Sequence, residues 1–261
     1  MMGKKKERML GIIDVLKKNS VMSVKSLAEM FKVSEMTIRR DLEALSSNGI
    51  VSRSYGYATF LESKQVLIDN DEYYDISFEQ IKNSTEKNAI ANFAASLVEP
   101  QDFIMIDSGT TTFQFSKQIS SFKDISVLCY NFGILAELRK NIDINIIFAG
   151  GHYFPEDQMF TSKENVEFIH NLRANKAFIS ASGIHESLGI TCIHSHEIEN
   201  KRAIIESSMT RILLMDSSKF GVVRPSYFAS FTDIDIIITD SGIDKAWQDI
   251  INEAGIKLYI V

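Results

Sequence analysis

Two stretches of this chain hold residues whose types and spacing suit recognition chemistry. In the first, Asp107-Ser108-Gly109-Thr110-Thr111-Thr112 follows an apolar run and leads into a helical pattern. Backbone N–H groups, three threonine hydroxyls and a helix N-terminus then gather on one loop, which is how a phosphate is cradled. The same residue types also suit an ordinary strand-to-helix turn, so the neighbouring strand ends matter. Asp216-Ser217-Ser218-Lys219-Phe220-Gly221 puts Lys219 after another buried strand, where it supplies positive charge. Asn131, Gly150-Gly151 and Gly183-Ile184 end further strands at the same edge. In the second stretch, Ser34 to Leu45, Ser34 is a favoured N-cap and Glu35 sits where the helix dipole stabilises a negative charge. Thr37, Arg39 and Arg40 then face away from an apolar stripe and suit phosphates and base edges.

Other clusters read more blandly. Cys192, His194 and His196, with Glu197 next, alternate as strand neighbours, but such positions line a surface or pocket more readily than they close a four-ligand metal site. No metal and no cofactor is assigned. Glu197 and Lys201 lie at i, i+4, the spacing of a surface helix pair, and a functional role for the pair is held slightly ahead of that reading. Lys4-Lys5-Lys6 reads as a solvated charge run or a phosphate contact.

The elements that must position these residues follow from periodicity. Ile38, Leu42 and Leu45 recur at i, i+4, i+7 and predict a helix over 34–45 with one buried face. A short helix over 23–31, with Val24, Leu27, Ala28 and Phe31 inward, precedes it across Lys32-Val33, and Met9 to Leu16 mark a covering helix, giving a helix-turn-helix. Asn48-Gly49 closes the recognition helix, and runs at 51–55 and 57–61 around Gly56 form a wing. Farther on, a helix over 86–98 ends at Pro100. Apolar runs at 103–107, 126–130, 144–149, 177–181, 212–216, 234–239 and 257–261 then alternate with helical patterns at 112–120, 133–140, 163–171, 197–209 and 245–254. Uniformly apolar strands alternating with helices predict an α/β domain with a mostly parallel sheet, whose ligands bind beyond the strand C-termini.

Charge divides the chain in the same place. Residues 1–61 carry 11 Lys/Arg against 6 Asp/Glu, which leaves 17 against 28 for the remainder, so only the N-terminal part suits a polyanion. The predicted domains are a winged helix-turn-helix at 1–61, a linker at 62–77 and an effector-sensing α/β domain at 78–261. Two cysteines among 261 residues imply no disulfide framework, and Asp14, Lys17 and Lys18 interrupt any signal-peptide core. A cytoplasmic location is expected, with no membrane partner.

Together, Val24-Lys25-Ser26-Leu27-Ala28, Thr37-Ile38-Arg39-Arg40-Asp41-Leu42, Asn48-Gly49 and Arg53 resemble the DeoR family of bacterial transcriptional regulators. In the second half Glu86-Lys87, the Asp107 to Thr112 run, Asn131, Gly150-Gly151, Gly189-Ile190-Thr191, Glu197 with Lys201-Arg202, the Asp216 to Gly221 run and Thr239-Asp240 keep that family's order. The resemblance implies a sensor similar in fold to ribose-5-phosphate isomerase and the CoA-transferases, taking a phosphorylated sugar or sugar derivative. It assigns Ser34, Glu35, Thr37, Arg39, Arg40 and Arg53 to DNA. Asp107, Ser108, Gly109, Thr110, Thr111, Thr112, Asn131, Gly150, Gly151, Glu197 and Lys219 go to the effector.

The sequence departs from the family pattern at Tyr57 in the wing, at the missing arginine before Glu86, and at Tyr130, where a threonine is usual. The expectation is a homo-oligomeric repressor of sugar-metabolism genes, released from its operator by a sugar phosphate, and not an enzyme. The rival is an isomerase-like enzyme using Asp107, Glu197, Asp216 and Lys219 for acid–base work.

Overall fold

A computed structural model describes residues 2–19, 21–47, 51–54, 56–60 and 83–261, with the backbone alone at 2–7, 10, 17, 47, 53, 54 and 60. The described residues fall into two compact units, one up to Phe60 and one from Asn83. The predicted linker at 62–77 and the helix-closing Asn48-Gly49 lie outside the described residues.

In the first unit, α1 (Met2–Asn19), α2 (Val24–Met30) and α3 (Glu35–Ser47) pack around Ile12, Leu16, Leu27, Ile38, Leu42 and Leu45, each fully buried. Strands β2 (Val51–Ser54) and β3 (Tyr57–Phe60) form the wing, turning at Gly56 with φ of +84°. Only glycine adopts that backbone freely. A strand absent from the sequence reading, β1 (Val21–Ser23), pairs with β3 and makes it the centre of a three-stranded sheet. Three residues are too few to carry a period. Arg8 reaches Asp41 at 2.6 Å and fastens α1 to α3, so Asp41, though polar, faces inward.

The second unit begins with α4 (Ser84–Ala95) and is built on a seven-stranded sheet. In chain order its strands are β4 (Phe103–Ile106), β5 (Ile125–Cys129), β6 (Ile144–Phe148), β9 (Ala174–Ser180), β12 (Ser208–Leu214), β14 (Ile236–Thr239) and β15 (Lys257–Ile260). Every pairing is parallel, in the spatial order β15-β14-β12-β9-β4-β5-β6. The seven apolar runs predicted as strands are these seven.

Alternate residues feed two cores. Ile104 and Ile106 join Phe115, Ile134 and Leu138 from α5 (Thr110–Ile119) and α6 (Phe132–Leu138) on one face. Met105 joins Ile169 and Ile204, from α7 (Lys163–His170) and α8 (Ile198–Glu206), on the other. Both faces being dry explains why the strands read as continuous apolar runs. A last helix, α9 (Lys245–Glu253), precedes β15.

Five short strands were not anticipated. β7 (His152–Phe154) and β8 (Met159–Thr161) form a hairpin, while β10 (Gly183–His185), β11 (Gly189–Cys192) and β13 (Ser226–Ala229) form an antiparallel sheet. Strands of three or four residues give alternation too little length to register. The predicted 197–209 helix also shortens, because α8 ends at Glu206 and β12 starts at Ser208.

Candidate functional site

In the N-terminal unit the recognition helix starts as its sequence requires. Ser34 Oγ accepts the Thr37 N–H at 3.2 Å and lies 2.9 Å from Thr37 Oγ1. Glu35 pairs with Arg39 at 3.7 Å, both half in solvent, and Arg40 is exposed. Ser34, Glu35, Arg39 and Arg40 therefore share the open side of α3 or its cap, with Thr37 at the margin. Arg53 lies in β2, opposite Ala58 of β3, and its side chain falls outside the described residues.

In the second unit, β4 leads through Asp107-Ser108-Gly109 into the first turn of α5 at Thr110 to Thr112, and the two strands beside it supply partners. Asp107 is wholly buried. Its Oδ1 accepts the Tyr130 hydroxyl at 2.5 Å, and its Oδ2 accepts the Ser180 N–H and Oγ–H at 2.8 Å and the Lys201 ammonium at 2.5 Å. Both oxygens are thus spent on the protein. Gly109 is dictated by close approach, since a Cβ there would lie 2.2 Å from Ser180 Oγ. Thr112 turns its hydroxyl to the Asp107 and Gly109 carbonyls, at 2.8 and 3.0 Å. The expectation that three hydroxyls converge on the loop is corrected there, because a buried hydroxyl at a helix start finds its partner in the preceding turn. Thr110 and Thr111 occupy the first turn of α5, both buried.

Asn131 caps α6 by accepting the Ile134 N–H at 3.1 Å, and its Nδ2 donates to Ser108 Oγ and to the Asp157 carbonyl, both at 2.8 Å. Ser108 Oγ donates to the same carbonyl at 3.2 Å. The tip of the β7–β8 hairpin therefore roofs the loop. Gly150 and Gly151 turn the chain from β6 into that hairpin, and a Cβ on Gly151 would lie 2.6 Å from the Thr161 carbonyl oxygen.

Glu197 and Lys201 are not the surface pair that their i, i+4 spacing suggests. Both are buried, 3.5 Å apart, and Glu197 also accepts the His194 N–H at 3.0 Å. Burial alone favours the neutral amine, but the Asp107 and Glu197 carboxylates outweigh it and hold the Lys201 ammonium above the usual lysine range. Burial pushes the Glu197 carboxyl up against the opposing pull of Lys201. Burial, then the Asp107 charge, keeps the Tyr130 phenol protonated well above its ordinary range, as a donor must be.

The alternation of Cys192, His194 and His196 along one strand does not survive, because β11 ends at Cys192 and a capped turn follows. His196 instead stacks on Phe154 at 3.9 Å and bonds Asp157 at 2.6 Å. Among the described residues no cluster of His, Cys, Asp or Glu is arranged to hold a metal.

Asp216 lies two residues beyond the end of β12, capping the turn that follows, and β12 flanks β9 on the side away from β4. Two strand spacings, about 10 Å in all, separate the two loops. Asn83 donates to Asp216 at 2.8 Å, and Ser218 bonds the same oxygen. Burial opposes ionisation of Asp216, yet Lys219, Lys87 and these hydrogen bonds win and hold its carboxyl below the usual range. Lys219 thus belongs to the same sheet edge as the loop, with Asp216 beside it. The residues that sequence reasoning missed are Tyr130 as a donor, Ser180, Asp157 and Lys87. A fully buried lysine one position after Glu86 carries no local signal that separates it from a surface lysine.

A family model described as the DeoR C-terminal sensor domain matches residues 82–241, and one described as a DeoR-like helix-turn-helix domain matches residues 8–64. The chain belongs to the DeoR family. It is a helix-turn-helix transcriptional regulator with a C-terminal sensor domain. An uncharacterised HTH-type regulator of Haemophilus influenzae is 31% identical over 98% of this chain and 97% of its own. The deoxyribose operon repressor of Escherichia coli is 29% identical over 91% of each. Among solved structures, a ribose 5-phosphate isomerase from Methanocaldococcus jannaschii covers 53% of this chain and 55% of its own, at 14% identity and a TM-score of 0.39.

Proposed function

We propose that this DeoR-family chain is an operator-binding repressor of sugar-metabolism genes, and that a phosphorylated sugar seated at the sheet edge releases it. The observation that carries the reading is the pair of donors, Ser108 Oγ–H and Asn131 Nδ2–H, that meet on the Asp157 carbonyl oxygen at the mouth of the Ser108 to Thr112 loop. A phosphate oxygen accepts from the same two donors, so ligand and hairpin tip compete for them. The helix dipole of α5 and the ammonium of Lys219 favour the dianion, and the ligand's gain is tied to a displaced hairpin. A conformational difference of this kind is what an effector needs in order to shift an equilibrium.

In this reading Asp107 and Glu197 shape the pocket from beneath. Gly150 and Gly151 let the hairpin move, while Ser34, Glu35, Thr37, Arg39, Arg40 and Arg53 meet the operator. The domains divide at 61 and 77. Turnover is not expected, because Asp107, Lys201 and Glu197, the groups fit for proton transfer, are buried and engaged with one another. A single winged helix reads few base pairs, so the protein works as a homo-oligomer on repeated half-sites. The regulator is placed in the cytoplasm with its operator, and no described helix is long and apolar enough to cross a membrane.

The test is a thermal-shift screen of the full chain against pentose and hexose phosphates and their unphosphorylated sugars, followed by operator release with any hit. A ligand of the folded state raises the melting temperature by mass action. Stabilisation by a phosphorylated member that also releases DNA supports the reading. Equal response to the free sugar removes the phosphate from it, and turnover of any member restores the enzyme.

A further inference from the structure

The outward face of α3 carries one apolar side chain among its described residues. Met36 is 60% exposed, whereas Ile38, Asp41, Leu42 and Leu45 are buried. At about 100° per residue, the four buried positions centre on one side of the helix and Met36 falls on the opposite side. Arg39 projects on one flank of it, Arg40 on the other, and Glu43 lies two turns on. A lone exposed methionine on a protein surface is ordinary. This one is at the centre of the face that a helix-turn-helix lays in the major groove, within the first turn, where recognition helices reach base edges.

We infer that Met36 reads thymine, through contact between its thioether chain and the C5-methyl group in the major groove. The inference rests on the DNA-binding reading and adds a base preference to it. Two points of chemistry and one observation favour thymine over the other bases. The side chain offers no hydrogen-bond donor, so it gains nothing from guanine N7 and O6 or adenine N7. The thymine methyl is the one apolar group that a base pair of unmodified DNA presents in that groove. The Glu35–Arg39 pair, closed at 3.7 Å, and the Arg40 guanidinium stand on either side, so phosphates and guanines are served by neighbours and the middle of the footprint is left to an apolar contact. An unbranched thioether also adapts its shape at little cost, which suits a contact with a single methyl.

The experiment begins with duplex DNA enriched from a random pool by the full-length wild-type protein. Each thymine of the enriched site is then replaced singly by deoxyuracil, which deletes one methyl and keeps base pairing. One position, or one per half-site, is expected to lose about three- to fivefold in affinity, the equivalent of one buried methyl at about 0.8 kcal/mol. In Met36→Ala that sensitivity vanishes at the same position, while binding through the flanking bases persists. Because Met36 is exposed, the variant should melt with the wild type, and circular dichroism checks this. An enriched site whose methyl sensitivities are the same in Met36→Ala overturns the inference alone. A wild-type protein that enriches no sequence overturns it together with the operator reading.

Discussion

Lys201 Nζ lies 2.5 Å from Asp107 Oδ2, 94 residues away in the chain, and both side chains are shielded from solvent. The pair ties α8 to the C-terminal end of β4 underneath the Ser108 to Thr112 loop, so loop geometry and the packing of a helix on the opposite face of the sheet are coupled. Removing Lys201 strands the buried Asp107 and Glu197 carboxylates without their cation, and removing Asp107 leaves the buried ammonium with Glu197 alone, 3.5 Å away. Lys201→Met and Asp107→Asn are each expected to cost about 3 to 5 kcal/mol, and the double variant less than the sum of the two. Urea unfolding followed by Trp247 fluorescence measures all three, and strictly additive losses would count against the pair.

Stability toward acid should depend on Asp216. Its carboxyl titrates below the ordinary value of 3.8 in the folded protein despite its burial, because Lys219, Lys87 and hydrogen bonds favour the charge. The stabilisation is therefore complete above the unfolded value and is lost as pH falls through the folded one. Asp216→Asn should lower stability at pH 7 by about 1 to 3 kcal/mol, and the difference from wild type should shrink below about pH 4. Denaturant midpoints taken from pH 7 down to pH 3 show whether the two curves converge.

DNA affinity should rest on Arg39 and Arg40 without the fold depending on them. Each is exposed on α3, whose packing is carried by Ile38, Leu42 and Leu45. Replacing both with Ala should weaken operator binding by about 1 to 3 kcal/mol for each arginine that had bonded a base through two hydrogen bonds, and leave the melting temperature nearly unchanged. Fluorescence anisotropy on labelled operator gives the answer, and unchanged affinity would remove α3 from the interface.

Release should separate from binding at the sheet edge. Lys219→Ala and Thr110→Val lie in the second unit, far in sequence from α3, and should keep operator affinity nearly intact. Each should raise the effector concentration needed for release by tenfold or more, the equivalent of about 1.4 kcal/mol. Titrating a stabilising sugar phosphate into the protein–operator complex measures this. Release at the wild-type concentration would place the pocket elsewhere.

Periodicity alone made much of this protein legible. The buried stripe of Ile38, Leu42 and Leu45, the N-cap at Ser34 and the seven apolar runs are local patterns, and each became the element it predicted, because helix and strand faces repeat every few residues whatever lies across from them. The Asp107 to Thr112 and Asp216 to Gly221 runs were placed at strand ends by the same logic. What the chain does not write locally is which strand lies beside which. Only the insertion of β9 between β4 and β12 brings Ser180 against Gly109 and holds the two loops apart. Only the stacking of α8 beneath that edge turns Glu197 and Lys201 from an apparent surface pair into a buried network that occupies Asp107. Tyr130 was visible as an unusual residue, yet its role depended on where its hydroxyl ended. Hydrogen bonds and ion pairs between residues tens of positions apart are decided by the packing of whole elements, and a desolvated charge must find its partner there because no water remains to serve it.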